Sequence, residues 1–342
     1  MIIRKIPKIN LPDQRKFVFL QINTWHMRLL EFTQRFKTEE DRERYLKEKR
    51  EENGLRCTAC GCEKMYWDKY NKKWICSKCG KEITLRSGTV MHGSKLPLMY
   101  WFTAIHLLTA TKKTFSAKEI QRQLGHKRYQ PIWEMVHKIR SVMGERDSQY
   151  VLKDTFELDE GYFTTEDPTD EDEHLKRGIG SQRNSKVLVM VESEPVENPK
   201  KGKKDRKCGH IKMKVIPDLS SDTFRESVEK CVDKNSYAVM DNLSGHSGVE
   251  KVVAGSDRQT TPGKDAPKRL PWVHVAIANA KTLFKDMYHG IKDEFLQYYL
   301  DEFCYKFNRM YFGDRMFDRI VLAATSYKPT FKHRTYASAQ CG

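Results

Sequence analysis

"TFELDEGYF", residues 155–163, is the first of several short segments that have the pattern of a β-strand. Its apolar and polar residues alternate, and two more strand-like segments follow at 185–193 and 210–218 after polar loops. A segment with helical spacing then starts at Ser220, and "SYAVMDN" at 236–242 returns to a strand. This order, βββαβ followed by helices, predicts an α/β fold in which helices pack on a mixed sheet.

Two aspartates stand at the ends of these predicted strands. Asp159 ends the apolar run of the first strand, and Asp241 ends the fourth. Functional groups gather at strand ends in open α/β sheets, so we expect the two carboxylates to lie close together. Such a pair repels unless a cation lies between the two groups, and Mg²⁺ or Mn²⁺ is the natural choice. The alternative is that both are ordinary turn residues. Glu160 should point to the other face of its strand and is a less suitable ligand.

Two CxxC pairs precede the strands, in a segment that we predict to be a zinc ribbon at residues 55–92. Zinc prefers four soft ligands in a tetrahedron, and each CxxC turn places two thiolates on a short knuckle. The predicted ligands of one structural zinc ion are Cys57, Cys60, Cys76 and Cys79. Cys62 is left over, because one zinc ion needs only four ligands. A domain this small lacks a core of its own, so the metal must supply its folding energy, about 10–16 kcal/mol in zinc-finger peptides.

Residues 93–148 have the pattern of a helix-turn-helix. Ser116 and Glu119 have the spacing of a capping box, and Gly125 stands at the turn before a second helix. The side chains that we predict to face outward from this second helix, towards the major groove of DNA, are Trp133, His137, Lys138 and Arg140. An ordinary helical hairpin would have the same pattern, but the neighbouring zinc ribbon and the basic composition favour DNA binding.

The composition favours a modular protein that binds a polyanion. The 342 residues include 62 lysines and arginines against 46 acidic residues, a net charge of +16, which favours nucleic acid as the partner. Nine cysteines, four of them in the CxxC pairs, fit metal binding in a reducing compartment better than a disulfide framework. There is neither a long apolar run nor a signal-peptide pattern, so we expect a cytoplasmic, nucleoid-associated protein with no membrane segment.

Several motifs together resemble one family. Besides the CxxC pairs and the helix-turn-helix, they are "LDEGYF" (158–163), "AVMDN" (238–242), "WVHVAIANAK" (272–281) and "YHGIKDEFLQYYLDEFCYKFNR" (288–309). The series resembles the bacterial insertion-sequence transposases of the ISXO2-like group, whose catalytic domain has the RNase H-like fold of the DDE superfamily. The domain map that follows is an N-terminal helical region (1–54), a zinc ribbon (55–92), a helix-turn-helix domain (93–148), an RNase H-like catalytic domain (149–330) and a tail (331–342).

The resemblance also implies the members of the catalytic site. In this family the first two metal-binding aspartates match Asp159 and Asp241. In one subgroup the third position is an asparagine followed by a lysine, which match Asn279 and Lys281 here. The first three residues would hold two Mg²⁺ or Mn²⁺ ions, with Asn279 as a neutral ligand, and Lys281 would position DNA. Asp286, seven residues after Asn279 and nearly on the same helix face, is an alternative third ligand.

The sequence therefore predicts a DNA transposase that binds the ends of an insertion sequence and catalyses metal-dependent strand cleavage and strand transfer. Its partner would be double-stranded DNA, both transposon ends and target, and pairing two ends requires at least a dimer. Two alternatives remain open: a catalytically inactive, transposase-derived DNA-binding protein, suggested by the neutral Asn279, and a metal-dependent nuclease without strand transfer. The polar segment between Asp241 and Trp272 is expected to be a loop that contacts DNA.

Overall fold

The computed structural model describes residues 27–111, 113–165, 184–198, 205–260, 266–288, 290–313, 315–328 and 331. The start of the predicted N-terminal helical region and the predicted tail, apart from its first residue, lie outside the described residues. No helix in the described part of the chain is long and apolar enough to cross a membrane.

Two helices form the described part of the N-terminal region, α1 (Leu29–Arg35) and α2 (Glu39–Glu52). A capping box starts α2. Thr38 Oγ1 accepts a hydrogen bond from the Asp41 N–H at 3.2 Å, and the Asp41 carboxylate accepts one from the Thr38 N–H at 3.1 Å. Two N–H groups that a helix start leaves unpaired are thereby satisfied, which fixes the turn between α1 and α2.

A three-stranded antiparallel sheet follows, with strands β1 (Met65–Asp68), β2 (Lys73–Cys76) and β3 (Glu82–Thr84). Trp74 on β2 is 2% exposed, and its ring centroid lies 4.7 Å from that of Trp67. Trp74 Nε1 also donates a hydrogen bond to Glu51 on α2 at 3.0 Å. This small sheet therefore packs on α2 instead of standing free.

Three helices come next, α3 (Leu98–Ala110), α4 (Ala117–Leu124) and α5 (Tyr129–Ser148). Ser116 Oγ accepts a hydrogen bond from the Glu119 N–H at 3.1 Å. Gly125 ends α4 with φ of 64°, a left-handed conformation that favours glycine. The start and end that the sequence predicts for the first helix of the helix-turn-helix are therefore confirmed.

The large sheet has five strands in the order β6-β5-β4-β7-β8. Their bounds are β4 (Thr155–Thr164), β5 (Asn184–Pro195), β6 (Arg206–Ile216), β7 (Tyr237–Asp241) and β8 (Gly255–Gln259). β4, β5 and β6 pair antiparallel, whereas β4, β7 and β8 pair parallel. Helix α6 (Ser221–Cys231) connects β6 to β7. The predicted mixed α/β fold with the order βββαβ is confirmed.

Helices cover both faces of this sheet. On one face lie α8 (Pro271–Met287), preceded by the short α7 (Ala266–Arg269), and α9 (Asp293–Asn308). On the other lie α6 and a 3₁₀ helix (Ser244–Lys251). The last helix, α10 (Arg315–Ser326), instead packs in the core of the N-terminal helices, although the predicted map includes it in the catalytic domain.

The outward face predicted for α5 is wrong at His137 and Arg140, which are both 0% exposed. The physical reason is that α9 packs on this side of α5. Arg140 Nε donates a hydrogen bond to Glu302 on α9 at 2.8 Å, and Trp133 and Lys138 are half-buried. A buried arginine whose charge is paired in this way has a structural role and does not face DNA.

Candidate active site

The two predicted aspartates lie beside each other on β4 and β7. Leu158 pairs with Met240 in this parallel ladder, so Asp159 and Asp241, which follow them, lie on the same face at the same level. Burial, together with the negative charges of Glu160 and Asp241, raises the pKa of Asp159 to about 7. The structure therefore brings the two carboxylates together, at a place where negative charge is not neutralised by the protein alone.

Helix α8 is fixed beside β4 by two contacts. Glu157 Oε2 accepts hydrogen bonds from the N–H groups of Trp272 at 2.7 Å and Val273 at 3.0 Å, in the first turn of the helix. A carboxylate is favourable there because these N–H groups have no partner within the helix and the dipole is positive. Further along, Ile277 packs beside Gly161 on β4, 3.5 Å from where a Cβ of residue 161 would lie, an ordinary contact distance. These contacts set the rotation of α8 about its axis.

This rotation turns His274 towards Asp159, with Nδ1 3.6 Å from Oδ2. Burial lowers the pKa of His274, so its ring is neutral at pH 7. Lys281 lies seven residues further, on nearly the same side of the helix, and its Nζ is 5.8 Å from the ring centroid of Phe163. The sequence alone does not predict a role for His274. Its one indication of a role is a titratable ring in the first turn of α8.

Asn279 and Asp286 lie elsewhere on the same helix. Asn279 follows His274 by five residues, about 140° around the axis, and lines a cleft of about 780 Å³ together with Tyr288 and Glu302. Asp286 is exposed and lies about 18 Å along the axis from His274. Within the described residues, neither makes a hydrogen bond or ion pair with the aspartates of β4 and β7. The geometry therefore gives no support to either as the third ligand, because the face of α8 that meets Asp159 is that of His274.

A second histidine lies on the other side of the site. The segment predicted to be a loop after Asp241 contains the 3₁₀ helix and β8, and His246 on the 3₁₀ helix is fully buried. Its Nδ1 lies 2.7 Å from Asp241 Oδ1, and its Nε2 lies 3.6 Å from Glu160 Oε2. The hydrogen bond from His246 lowers the pKa of Asp241. Burial alone would lower the pKa of His246, but the two carboxylates outweigh it and raise that pKa to about 9.

The four predicted zinc ligands also come together, with their sulfur atoms within 4.8 Å of one another. The closest pairs are Cys57 and Cys79, at 3.5 Å, and Cys60 and Cys76, at 3.6 Å. A tetrahedral zinc ion with bonds of about 2.3 Å places its sulfurs about 3.8 Å apart, so the cluster is compatible with zinc. Cys62 lies instead 3.6 Å from the hydroxyl of Ser77, and is not needed for this cluster.

The domain has an RNase H-like α/β fold, as shown by the order of its strands, its flanking helices and the pair of aspartates on neighbouring strands. A four-cysteine cluster precedes this domain in the sequence. Residues 151–308 match the sequence profile of the ISXO2-like transposase domain, which here extends from just before β4 to the end of α9. The chain therefore contains an ISXO2-like transposase domain, and the resemblance noted in its motifs is confirmed. No curated protein matches the chain.

Proposed function

We propose that this protein is a DNA transposase that binds the ends of an insertion sequence and catalyses metal-dependent strand cleavage and strand transfer. One observation carries the proposal: Asp159 and Asp241 lie side by side on parallel strands, inside a segment that matches a transposase domain. Family membership supports a transposase role and DNA as partner in general, and the paired carboxylates support phosphodiester chemistry in particular. Pairing of two DNA ends would require at least a dimer.

The donor atoms at this site fit a hard divalent cation. Within the described residues, Asp159 accepts one hydrogen bond, from the Glu160 N–H to Oδ1 at 2.9 Å, so Oδ2 is left without a donor. The Asp159 side chain is only 15% exposed, and a carboxylate oxygen that accepts no hydrogen bond, close to a second carboxylate, gains from binding Mg²⁺ or Mn²⁺. The residue pair thus favours a metal site over the alternative of ordinary turn residues.

Each side chain then has a distinct task. When bound, two Mg²⁺ or Mn²⁺ ions would activate the attacking oxygen and stabilise the leaving one. Asp159 and Asp241 would hold them, and His274 would take the third position, which the family resemblance gives to Asn279. Lys281, on the side of α8 that His274 shares, would contact a DNA phosphate as a point charge. The same site would serve attack by water and then attack by the freed 3′-hydroxyl.

His274→Ala is expected to lower Mn²⁺-dependent nicking of end DNA by at least about 100-fold, because loss of a direct ligand should exceed the 10–100-fold typical of a residue that only supports a metal site. Asn279→Ala, in the cleft beyond the site, is expected to lower nicking far less. The measurement is the single-turnover nicking rate of both variants on one labelled duplex at saturating protein. A larger loss in Asn279→Ala would restore the assignment that the family resemblance implies and remove His274 from the site.

The DNA-binding surface of the helix-turn-helix also needs revision, because the outer face of α5 is covered by α9. Exposed polar and basic side chains remain on α4, on the turn after it and at the start of α5: Lys118, Arg122, Lys127, Arg128 and Gln130. In helix-turn-helix proteins the N-terminal end of the second helix reads the bases. We therefore assign contact with the transposon ends to this surface, together with the zinc ribbon, which we propose holds one structural zinc ion.

The double substitution Lys127→Ala, Arg128→Ala is expected to weaken binding to end DNA and to flatten its dependence on salt. Each phosphate contact contributes about 0.9 to the slope of log affinity against log salt, so two lost contacts reduce that slope by about 1.8. Fluorescence anisotropy over a salt series measures it. Lys230→Ala, Lys234→Ala removes two other exposed charges from the far side of the sheet and is the matched control. Equal slopes in the two double variants would exclude this surface.

Incubation with Mn²⁺ and duplexes that carry the element's ends tests the function itself. A transposase yields nicked strands and also joined products in which an end is linked to a second DNA. A nuclease without strand transfer yields cut strands alone, and an inactive DNA-binding descendant yields neither, although it still shifts the duplex in a gel.

A further inference from the structure

We propose that His246 is a positioning residue, which holds the metal-binding carboxylate of Asp241 in place by bridging it to Glu160. The inference rests on the proposed function, since it takes Asp241 as a metal ligand. His246 belongs to the segment that looked like a loop in the sequence, and neither the resemblance nor the matched domain assigns it a role. Four observations support the bridge: the ring's contacts, its enclosure, the close packing beneath it and the oxygen that it leaves free.

The imidazole lies between two carboxylates and offers one nitrogen to each. Nδ1 is 2.7 Å from Asp241 Oδ1 and 3.2 Å from the Asp241 carbonyl oxygen, whereas Nε2 is 3.6 Å from Glu160 Oε2. The three side chains are close enough to be considered as ligands of one ion, within 4.8 Å. Nδ1 is already engaged by Asp241 Oδ1, whereas Nε2 and Glu160 Oε2 are 3.6 Å apart, too far for a hydrogen bond, and contact each other as an ion pair. The arrangement is that of a bridge.

The ring is also enclosed. Its side chain is 0% exposed, and the ring of Phe224 meets it edge to face, with centroids 4.8 Å apart and planes at 82°. Phe224 is itself fully buried on α6. A polar ring so enclosed cannot exchange its partners for water, so its two carboxylate contacts have no competitor.

Two glycines make this enclosure possible. A Cβ on Gly245 would lie 2.3 Å from the carbonyl oxygen of Leu219, and a Cβ on Gly248 would lie 1.9 Å from that of Ser221. Both distances are far below contact range, so the 3₁₀ helix reaches α6 only because these positions lack a side chain. The close approach of these two backbones fixes the position of His246 relative to Asp241.

The bridge determines which oxygen of Asp241 is left for a cation. Within the described residues, Oδ1 is occupied by His246 Nδ1 and by the Leu243 N–H at 3.2 Å. Oδ2 therefore remains for metal binding, and the carboxylate cannot rotate without breaking a charge-assisted hydrogen bond. Loss of such a supporting partner typically weakens metal binding 10–100-fold.

Two amide substitutions separate the two halves of the bridge. His246→Asn places an amide N–H near the position of Nδ1 and keeps a donor for Asp241. His246→Gln places it near Nε2, towards Glu160, and leaves Asp241 without its partner. We expect His246→Gln to raise the Mn²⁺ concentration for half-maximal nicking about 10–100-fold, with most of the maximal rate regained at saturating Mn²⁺. His246→Asn is expected to restore most of the Mn²⁺ affinity.

A different pattern overturns the inference. If both variants need the same Mn²⁺ concentration, or if the maximal rate falls while that concentration is unchanged, His246 does not act through Asp241. Asp241→Ala, measured beside them, keeps this failure apart from failure of the proposed function. If Asp241→Ala nicks DNA like the wild type, the catalytic site is misassigned. If it is inactive while His246→Gln behaves as wild type, only the bridge is lost.

A spectroscopic measurement on the full-length protein covers the case in which His246→Gln does not fold. With ¹⁵N-labelled histidine, the Nδ1–H of His246 should give a downfield, slowly exchanging proton signal. We expect this signal to disappear or shift in Asp241→Asn and to persist in the matched variant Asp159→Asn. A signal that is unchanged in Asp241→Asn would exclude the hydrogen bond on which the bridge depends.

Discussion

Asp241→Ala is expected to abolish Mn²⁺-dependent cleavage and joining of end DNA, with a fall in rate of at least about 10³-fold. The expected loss exceeds the 10–100-fold that removal of a supporting residue causes, because a direct ligand of the metal is removed. Asp159→Ala should have a comparable effect, since the two carboxylates occupy the same level of neighbouring strands. The measurement is a time course of nicked and joined products from a labelled duplex, with protein in excess.

The control must show that charge alone does not explain the loss. Asp222→Ala removes one carboxylate from α6 whose side chain is 78% exposed, and it should nick DNA like the wild type. Binding of end DNA should be retained by all three variants, because the proposed binding surface lies on α4 and at the start of α5. Cleavage by Asp241→Ala at the wild-type rate would show that Asp241 does not belong to the catalytic site, whereas a wild-type protein that neither nicks nor joins DNA would favour the inactive DNA-binding descendant.

The sheet and the meeting of the two aspartates were predictable from local sequence. Alternation along residues 155–163 depends only on which side chains face the core, and the order of strands restricts which strand ends can meet. The ribbon was predictable for a similar reason, since two CxxC pairs contain all four ligands. In both cases the information lies in a short segment or in chain order.

The outer face of α5 was mispredicted because its neighbour is remote in sequence. The helical spacing of the apolar residues in α5 also predicts one buried face, that of Ile132 and Ile139, and each of these is no more than 1% exposed. The opposite face is covered by α9, whose Glu302 pairs with Arg140 across 162 residues. A single helix pattern shows that a polar face exists, but it does not show whether a buried acid will later pair with it.

The roles of the two histidines were missed for different reasons. The rotation of α8 is set by Glu157 at its N-terminus and Gly161 beside it, contacts that span more than 110 residues of chain. Without these contacts, His274 and Asn279 are equal candidates for the third metal ligand. His246 is surrounded by serine and glycine, so the segment has no hydrophobic pattern. Its burial comes from the close approach of backbones, which a sequence of small residues does not reveal.

Cys57→Ser or Cys76→Ser is expected to unfold the ribbon and release one zinc ion for each chain. A four-thiolate zinc site contributes about 10–16 kcal/mol of binding free energy in small zinc domains, far more than their cores supply. Trp74, only 2% exposed in the ribbon, should then become accessible, and its fluorescence should shift to longer wavelength. Zinc content by atomic absorption, the fluorescence maximum and limited proteolysis after Lys81 measure the change. A strong chelator should produce the same result in the wild type.

Cys62→Ser is the matched control, since this thiol lies in the same knuckle yet beside Ser77 rather than in the four-sulfur cluster. It should keep its zinc and its fluorescence. The extent of unfolding is also predictable, because Trp74 and Ile83 of the ribbon share a core with α2, α3 and α10, whereas the sheet that carries Asp159 has separate cores. Loss of zinc should therefore loosen the N-terminal helices and α10 and abolish binding to end DNA, while nicking of non-specific DNA with Mn²⁺ continues. If Cys62→Ser lost its zinc as readily as Cys57→Ser, the ligand set would differ from the one that the spacing predicts.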